Sequence, residues 1–141
     1  LIIRCFAVLL SRRAAGHHHT RHVNVLLLLI FRFFAFAIGI NWNESLLVGS
    51  LLGQKFVINE FVGYLSLAEM KASGALSERA IMISTYALCW FANLSSIGIQ
   101  IGGIGVMAPE RRGDLSLLGF RALIGASLAT LMTAAIAGAI F

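Results

Sequence analysis

Two ionisable residues, Lys55 and Glu60, lie in the middle of an otherwise apolar stretch, residues 45–68. A charged side chain at the centre of a bilayer costs at least about 2.5 kcal/mol on insertion scales, so such residues usually serve an ion or solute site. Residues five apart point about 140° away from each other on a continuous helix, whereas a turn between two helices removes that constraint. We therefore expect a solute or ion site here, and a structural ion pair between the two residues is the alternative.

A second group of polar side chains lies in residues 85–100. On a continuous helix five of them would fall within an arc of about 80°: Thr85, Cys89, Asn93, Ser96 and Gln100. Gly98, Gly102 and Gly105 would fall on the opposite side, where another backbone could approach closely. This polar stripe fits interhelical hydrogen bonding as well as a binding site, and both interpretations stay open. The dense glycines also predict a break in the helix, and broken helices often build transporter sites.

The remaining candidate groups do not indicate an enzyme or a metal centre. All four histidines lie in residues 17–22 without a carboxylate or cysteine beside them, which is a weak ligand set for zinc. Cys5 and Cys89 stand singly in apolar surroundings and are interpreted as small buried hydrophobic residues. The glycines of residues 98–105 lack the GxGxxG spacing and the preceding strand of a phosphate loop. We expect no enzymatic activity and no metal site.

The composition predicts an integral membrane protein. The 141 residues are 59% hydrophobic and 12% charged, whereas soluble domains usually carry about 25% charged residues. The first 32 residues hold five arginines and no acid, and they account for the net charge of +5. From residue 33 onward, lysines and arginines balance the acids, so nucleic-acid binding is only a remote alternative. The chain starts without methionine and ends within an apolar run, which predicts a piece of a longer protein.

The hydropathy pattern predicts an all-α fold. A helix needs about 20 apolar residues to cross a bilayer, and residues 23–40, 80–108 and 115–141 meet that length. Trp42 suits the membrane interface, and Asp114 is the expected N-cap of the last helix.

Charge placement predicts a hairpin between the first two crossings. The positive-inside rule places the basic residues 12–21 and the loop 110–112 on the cytoplasmic side, so an even number of crossings separates them. Residues 45–68 must then enter and leave on one face, as a re-entrant helical hairpin of two half-length arms. The GxxxG pair Gly49 and Gly53 fits tight packing of one arm.

Two long motifs resemble the concentrative nucleoside transporter (NupC-like) family. They are residues 49–67, GSLLGQKFVINEFVGYLSL, and residues 84–112, STYALCWFANLSSIGIQIGGIGVMAPERR. The resemblance covers residues 35–141 and assigns them to the carboxyl-terminal transporter domain. Residues 1–34 form a basic and apolar segment that does not resemble the family, and a wrong reading frame or genuine divergence are the two hypotheses for it.

The resemblance implies a fold with two re-entrant hairpins and two unwound helices around a nucleoside site. Residues 45–68 look like the second hairpin and residues 80–108 like the partly unwound helix that follows it. The implied substrate-binding residues are Glu60, Asn93 and Ser96, with Phe91 as the apolar neighbour of the ligand. At two further positions the chain departs from the family pattern: Trp90 replaces the usual glycine and Leu94 the usual aromatic residue.

The function implied by the resemblance is nucleoside symport coupled to sodium or protons, in the plasma (inner) membrane and as a homotrimer. The partners would be a nucleoside and the lipid bilayer, with no cofactor, and the cation site would belong to the part of the transporter that precedes this chain. The alternative is a structural or pore-lining helical module without a solute site.

Overall fold

The computed structural model describes residues 18–141, and it describes side chains from residue 27 onward. The predictions for Cys5, for the histidine side chains and for the basic residues 12–21 fall outside the described residues or side chains.

Helices make up most of the described chain, and it contains no strand. The helices are α1 (His18–Ala37), α2 (Ser45–Val57), α3 (Glu60–Ala72), α4 (Glu78–Leu88), α5 (Leu94–Met107), a 3-10 turn (Pro109–Arg111) and α6 (Arg112–Ile140). The all-α prediction is confirmed.

The predicted hairpin consists of α2 and α3, two arms of 13 residues each. At 1.5 Å per residue an arm is about 20 Å long, shorter than the roughly 30 Å hydrocarbon core of a bilayer. Asn59 caps α3 because its side-chain oxygen accepts a hydrogen bond from the Val62 backbone N–H at 3.0 Å. The two arms are joined side by side, since the Ser66 hydroxyl donates to the Gln54 side-chain oxygen at 2.7 Å.

The two ends of the hairpin lie on the same side of the molecule. Glu44 precedes α2, and its carboxylate accepts hydrogen bonds from both the backbone N–H and the hydroxyl of Ser77, the N-cap of α4. The chain therefore returns after α3 to the place where it entered α2, as expected for a re-entrant hairpin.

Arm α2 packs closely on α1 through its first glycine. A Cβ atom at Gly49 would lie 2.7 Å from the Arg32 backbone nitrogen, and one at Gly53 would lie 3.4 Å from the Phe31 ring. The predicted tight packing of this GxxxG pair is therefore present. Arg32 of α1 reaches past the end of the helix, where its guanidinium stacks 3.9 Å above the ring centre of Trp42.

The predicted break divides residues 80–108 into α4 and α5, with residues 89–93 as a non-helical linker. The continuous polar stripe is therefore wrong, because the two helices do not share one helical phase. Thr85, Cys89 and Gln100 are exposed, whereas Asn93 is fully buried. The prediction that Cys89 is buried is therefore wrong. The predicted glycine stripe is only partly packed within the described chain: a Cβ atom at Gly98 or Gly102 would meet nothing within 4 Å, whereas one at Gly105 would lie 3.0 Å from the Arg112 side chain.

Helix α6 begins earlier than expected, and the prediction of Asp114 as its N-cap is wrong. The 3-10 turn beginning at Pro109 leads directly into the helix, so Asp114 lies in the first turn. There its carboxylate pairs with the Arg111 guanidinium at 3.0 Å. Among the described helices, one is long and apolar enough to cross a membrane, and it spans Pro109–Ile140. It packs against both halves of the broken helix, with Gly138 beside Ile83 and Gly119 beside Ile97.

Candidate functional site

The hairpin tip and the helix break contact each other, and this brings two of the predicted site residues together. Glu60 is the first residue of α3, and Asn93 is the last residue of the linker. The Asn93 side-chain nitrogen donates to Glu60 Oε2 at 3.0 Å. A second bond joins the same surfaces, from the Ser95 hydroxyl to the Ile58 carbonyl at 2.6 Å. Residues 33 positions apart in the sequence thus form one polar junction.

Asn93 is held in place by helix α5. It is the N-cap of that helix, and its side-chain oxygen accepts a hydrogen bond from the Ser96 backbone N–H at 2.8 Å. The Asn93 backbone N–H in turn donates to the Ser96 hydroxyl oxygen at 3.5 Å, which completes a reciprocal cap. The Ser96 hydroxyl also donates to the Asn93 carbonyl at 2.6 Å. The expectation that both residues lie on one helical face is wrong, because Asn93 precedes the helix. Asn93 contacts Glu60 directly, and both Asn93 and Ser96 are buried.

The linker itself presents two aromatic side chains. Phe91 is 53% exposed and Trp90 is 66% exposed. Trp90 has φ of 84°, the left-handed region that glycine occupies easily and bulky side chains avoid. This backbone geometry gives a physical reason for glycine to be usual at the position. The substitution in this chain therefore leaves the linker strained next to Phe91.

Lys55 does not pair with Glu60. It is only 5% exposed, and its ammonium donates to the Ala87 carbonyl at 2.9 Å and to the Cys89 carbonyl at 3.2 Å. Among the side chains that the structure describes, no carboxylate lies within 4.0 Å of it. The structural ion-pair alternative is therefore wrong. The sequence could not show this arrangement, because the partners are backbone carbonyls of another element.

Tyr64 is a residue of the junction that the sequence analysis missed. Its hydroxyl donates to the Thr85 carbonyl at 2.8 Å, near the end of α4. Its position four residues after Glu60 could have revealed it, because residues four apart share one face of a helix.

The charges of the junction match the polarity of the two half-helices. The end of α4 carries free carbonyls and a partial negative charge, and it receives the Lys55 ammonium. The start of α5 carries a partial positive charge, and the carboxylate of Glu60 lies beside its N-cap. One helical hairpin therefore supplies a cation to one half of the broken helix and an anion to the other.

The chemistry available at the junction is hydrogen bonding. A carboxylate accepts and an amide both donates and accepts, which suits a neutral ligand with several hydroxyl groups. The described residues contain no group of three or more histidine, cysteine, aspartate or glutamate side chains placed to hold a metal ion.

Comparison with known proteins gives the family. The family model for the Na+ dependent nucleoside transporter C-terminus matches residues 3–138. The chain belongs to this family. Its members are transporters rather than enzymes, in agreement with the prediction.

Individual relatives are similar over most of this chain but only part of their own. The transporter YutK of Bacillus subtilis (strain 168) is 46% identical over 109 residues, 77% of this chain and 26% of the relative. Sodium/nucleoside cotransporter 1 of Rattus norvegicus is 41% identical over 125 residues, 79% of this chain and 19% of the relative. The solved structure of CNTnw in an inward-facing substrate-bound state gives a TM-score of 0.75 at 45% identity, covering 80% of this chain and 28% of that one.

The chain thus spans about a quarter of the length of the relatives that it matches. The similarity confirms the resemblance to the carboxyl-terminal part of a nucleoside transporter and its membrane character. The domain boundary at residue 34 and the four substrate-binding residues stay predictions.

Proposed function

We propose that this chain supplies one wall of a nucleoside site in a cation-coupled symporter, at the junction of the hairpin tip and the helix break. The observation that carries the proposal is the 3.0 Å bond between Asn93 and Glu60 at this junction. It supports the proposal because two elements with separate sequence motifs bring their polar groups to one point, in a family of nucleoside transporters.

The hydrogen-bonding capacity of Glu60 and Asn93 suits a ribose. Oε2 of Glu60 accepts from Asn93, while the described residues show no protein hydrogen bond to Oε1. In the proposed complex Oε1 accepts from a ribose hydroxyl, and the second amide hydrogen of Asn93 donates to a hydroxyl oxygen. The half-buried Glu60 carboxylate contributes more than a neutral acceptor would, because hydrogen bonds to charged groups are the stronger ones.

Phe91 and Ser96 complete the proposed contacts. The exposed ring of Phe91 lies two residues before Asn93, where it can pack against the nucleobase. Ser96 holds Asn93 through the reciprocal cap, and its hydroxyl oxygen is the fourth group offered to the ligand.

The finer properties of the whole transporter are proposed from the family. The family description names sodium, so we propose sodium rather than protons as the coupling ion, with its site in the preceding part of the transporter. We also propose the plasma (inner) membrane as its location and a homotrimer as its assembly. Replacing sodium by choline at constant pH should abolish uptake by the complete transporter, and uptake that follows pH instead would favour protons.

Glu60→Gln tests the site. The variant is tested in a chimeric transporter, in which residues 35–141 of this chain replace the matched segment of the rat sodium/nucleoside cotransporter 1. The two sequences are 41% identical over the matched residues. Glutamine keeps an oxygen for Asn93 but removes the charge. Loss of one hydrogen bond to a charged group is worth about 1.5–3 kcal/mol, so uridine uptake should need roughly ten- to a hundredfold more substrate.

The matched control is Glu69→Gln, an exposed glutamate on the same arm. It should leave uridine uptake unchanged. Equal uptake curves for Glu60→Gln and the unmodified chimera, at equal amounts in the membrane, would contradict the proposed site.

A further inference from the structure

Lys55, the buried cation of the hairpin, binds backbone carbonyls at the end of α4 and does not bind Glu60. A helix leaves its last carbonyls without intrahelical partners. Here the Ala87 and Cys89 carbonyls receive two of the three ammonium hydrogens of Lys55, at 2.9 and 3.2 Å. A buried charge is expensive unless it is hydrogen-bonded, so these two bonds confine the position of the helix end relative to the hairpin.

The bond to Cys89 fixes the first residue of the linker. The linker has few restraints of its own, with a single internal backbone bond from Ala92 N–H to the Trp90 carbonyl at 2.9 Å. Its far end is fixed by the reciprocal cap between Asn93 and Ser96. The path of residues 89–93 is therefore determined at one end by Lys55 and at the other by helix α5.

Other contacts between the hairpin and the broken helix do not replace this restraint. Tyr64 binds the Thr85 carbonyl, which lies within α4 and before the linker. Ser95 and Asn93 bind the hairpin from the α5 side. Among the hairpin side chains that the structure describes, Lys55 is the one that donates to a backbone carbonyl of the linker.

We propose that Lys55 is a positioning residue of the nucleoside site: by holding the Cys89 carbonyl, it sets the linker so that Asn93 meets Glu60. This inference rests on the proposed function for its effect on nucleoside, but the restraint on the linker can be measured without any nucleoside. Lys55 is expected to act on substrate only through Asn93.

Hydrogen exchange of the full chain in lipid nanodiscs measures the restraint directly. Lys55→Met keeps a stem of similar length and removes all donors, so amides 89–93 should exchange about tenfold faster or more. Lys55→Arg keeps the charge and two donors, and it should restore most of the protection. Lys71→Met, an exposed lysine at the end of α3, is the matched control and should change nothing.

Amides of α1 and α2, away from the linker, report whether the variants fold. If Lys55→Met alone fails to fold, Lys55→Gln, a neutral residue that keeps an amide donor, takes its place, and faster exchange confined to residues 89–93 is again expected. Unchanged exchange of the linker in a folded Lys55→Met or Lys55→Gln variant would overturn the proposal.

Uridine uptake by the chimera separates positioning from general stability. Lys55→Met should raise the KM by about tenfold at equal surface expression, with Lys55→Arg restoring it. A lower amount of transporter with an unchanged KM would overturn the positioning role. If Glu60→Gln also leaves uptake unchanged, the proposed nucleoside site fails, whereas the exchange result still decides what Lys55 does to the linker.

Discussion

Single residues at the junction carry out two tasks, and Asn93 shows both. Its oxygen caps α5 and its nitrogen binds Glu60, so each half of one amide belongs to a different interaction. The sequence indicated Asn93 as polar and the family resemblance indicated it as a ligand residue. Neither the sequence nor the resemblance indicated that Asn93 caps α5, because an N-cap exists only where a helix begins and the start of α5 at Leu94 was not predicted.

Asn93→Asp separates the two tasks. Aspartate is as good an N-cap as asparagine, so α5 should remain folded. Its carboxylate cannot donate to Glu60, and two like charges would repel each other. We expect uridine uptake by the chimera to fall tenfold or more while the exchange of α5 amides stays unchanged. Uptake equal to that of the unmodified chimera would show that the Asn93 donor is not needed.

Trp90→Gly should relieve strain in the linker. A left-handed conformation costs a residue with a Cβ atom roughly 1–2 kcal/mol, and glycine removes this cost. Glycine also lowers the stability by up to about 1 kcal/mol, because it increases the conformational entropy of the unfolded chain. The mostly exposed indole has little packing to lose. We expect a net stabilisation of up to about 1 kcal/mol, measured by thermal unfolding of the full chain in detergent.

Phe91→Gly is the comparison for that variant. Phe91 does not have a positive φ, so glycine there relieves nothing and should lower the unfolding temperature. Equal effects of the two glycines would contradict the assignment of strain to Trp90.

At the scale of elements, the hairpin tip and the break between α4 and α5 contact each other, and their contact forms the proposed site. The hairpin turns at Ile58 and Asn59, and the helix opens at residues 89–93. Each interruption leaves backbone carbonyls without helical partners, and a side chain of the other element donates a hydrogen bond to one of them: Lys55 to the Cys89 carbonyl and Ser95 to the Ile58 carbonyl. The same elements also pack on continuous neighbours, α2 on α1 and both α4 and α5 on α6.

Gly49→Ala should disturb the packing of α2 on α1. The added Cβ atom would lie 2.7 Å from the Arg32 backbone nitrogen, which cannot move without its helix. Overpacking of this kind typically costs about 1–3 kcal/mol, and thermal unfolding of the full chain should show the loss.

Gly98→Ala is the matched control within a helix. Its Cβ atom would meet nothing within 4 Å of the described chain, and alanine is favoured over glycine in a helix interior by about 1 kcal/mol. We expect unchanged or slightly higher stability. A loss as large as that of Gly49→Ala would show that backbone contact is not the cause.

For the whole molecule, three chain segments gather at one end. Glu44 binds Ser77, and the Arg79 guanidinium donates to the Gly138 carbonyl near the end of α6. The turn at Pro109–Arg111 lies at the opposite end of α6. This arrangement agrees with the charge argument, in which α4 and α5 together make one crossing that ends at the loop 110–112.

Cysteine labelling can test that topology. In a full chain whose two native cysteines are replaced by serine, Ser73→Cys and Gly113→Cys each introduce one thiol in an exposed segment. A membrane-impermeant maleimide should label Ser73→Cys from the outside of cells and Gly113→Cys only after the membrane is opened. Labelling of both from the same side would contradict the topology.

The sequence by itself determined the class of the protein, the position of the hairpin tip and the presence of a break within residues 80–108, but not the position of that break. Low charge and long apolar runs force helices in a membrane, because backbone groups in lipid must bond within their own segment. Polar residues within those runs marked the hairpin tip, and the dense glycines predicted a break. The break lies at residues 89–93, before the glycines, which belong to the intact helix α5. The family resemblance then named Glu60, Asn93, Ser96 and Phe91.

Only the tertiary structure decided which groups bind each other. The sequence left an ion pair between Lys55 and Glu60 open as an alternative, whereas the lysine binds two carbonyls and Glu60 binds Asn93. The physical reason is that helix ends expose backbone donors and acceptors whose positions depend on where each helix stops and against what it packs. The amino-acid sequence does not show which backbone groups are left without partners, and here two such carbonyls bind the ammonium of Lys55.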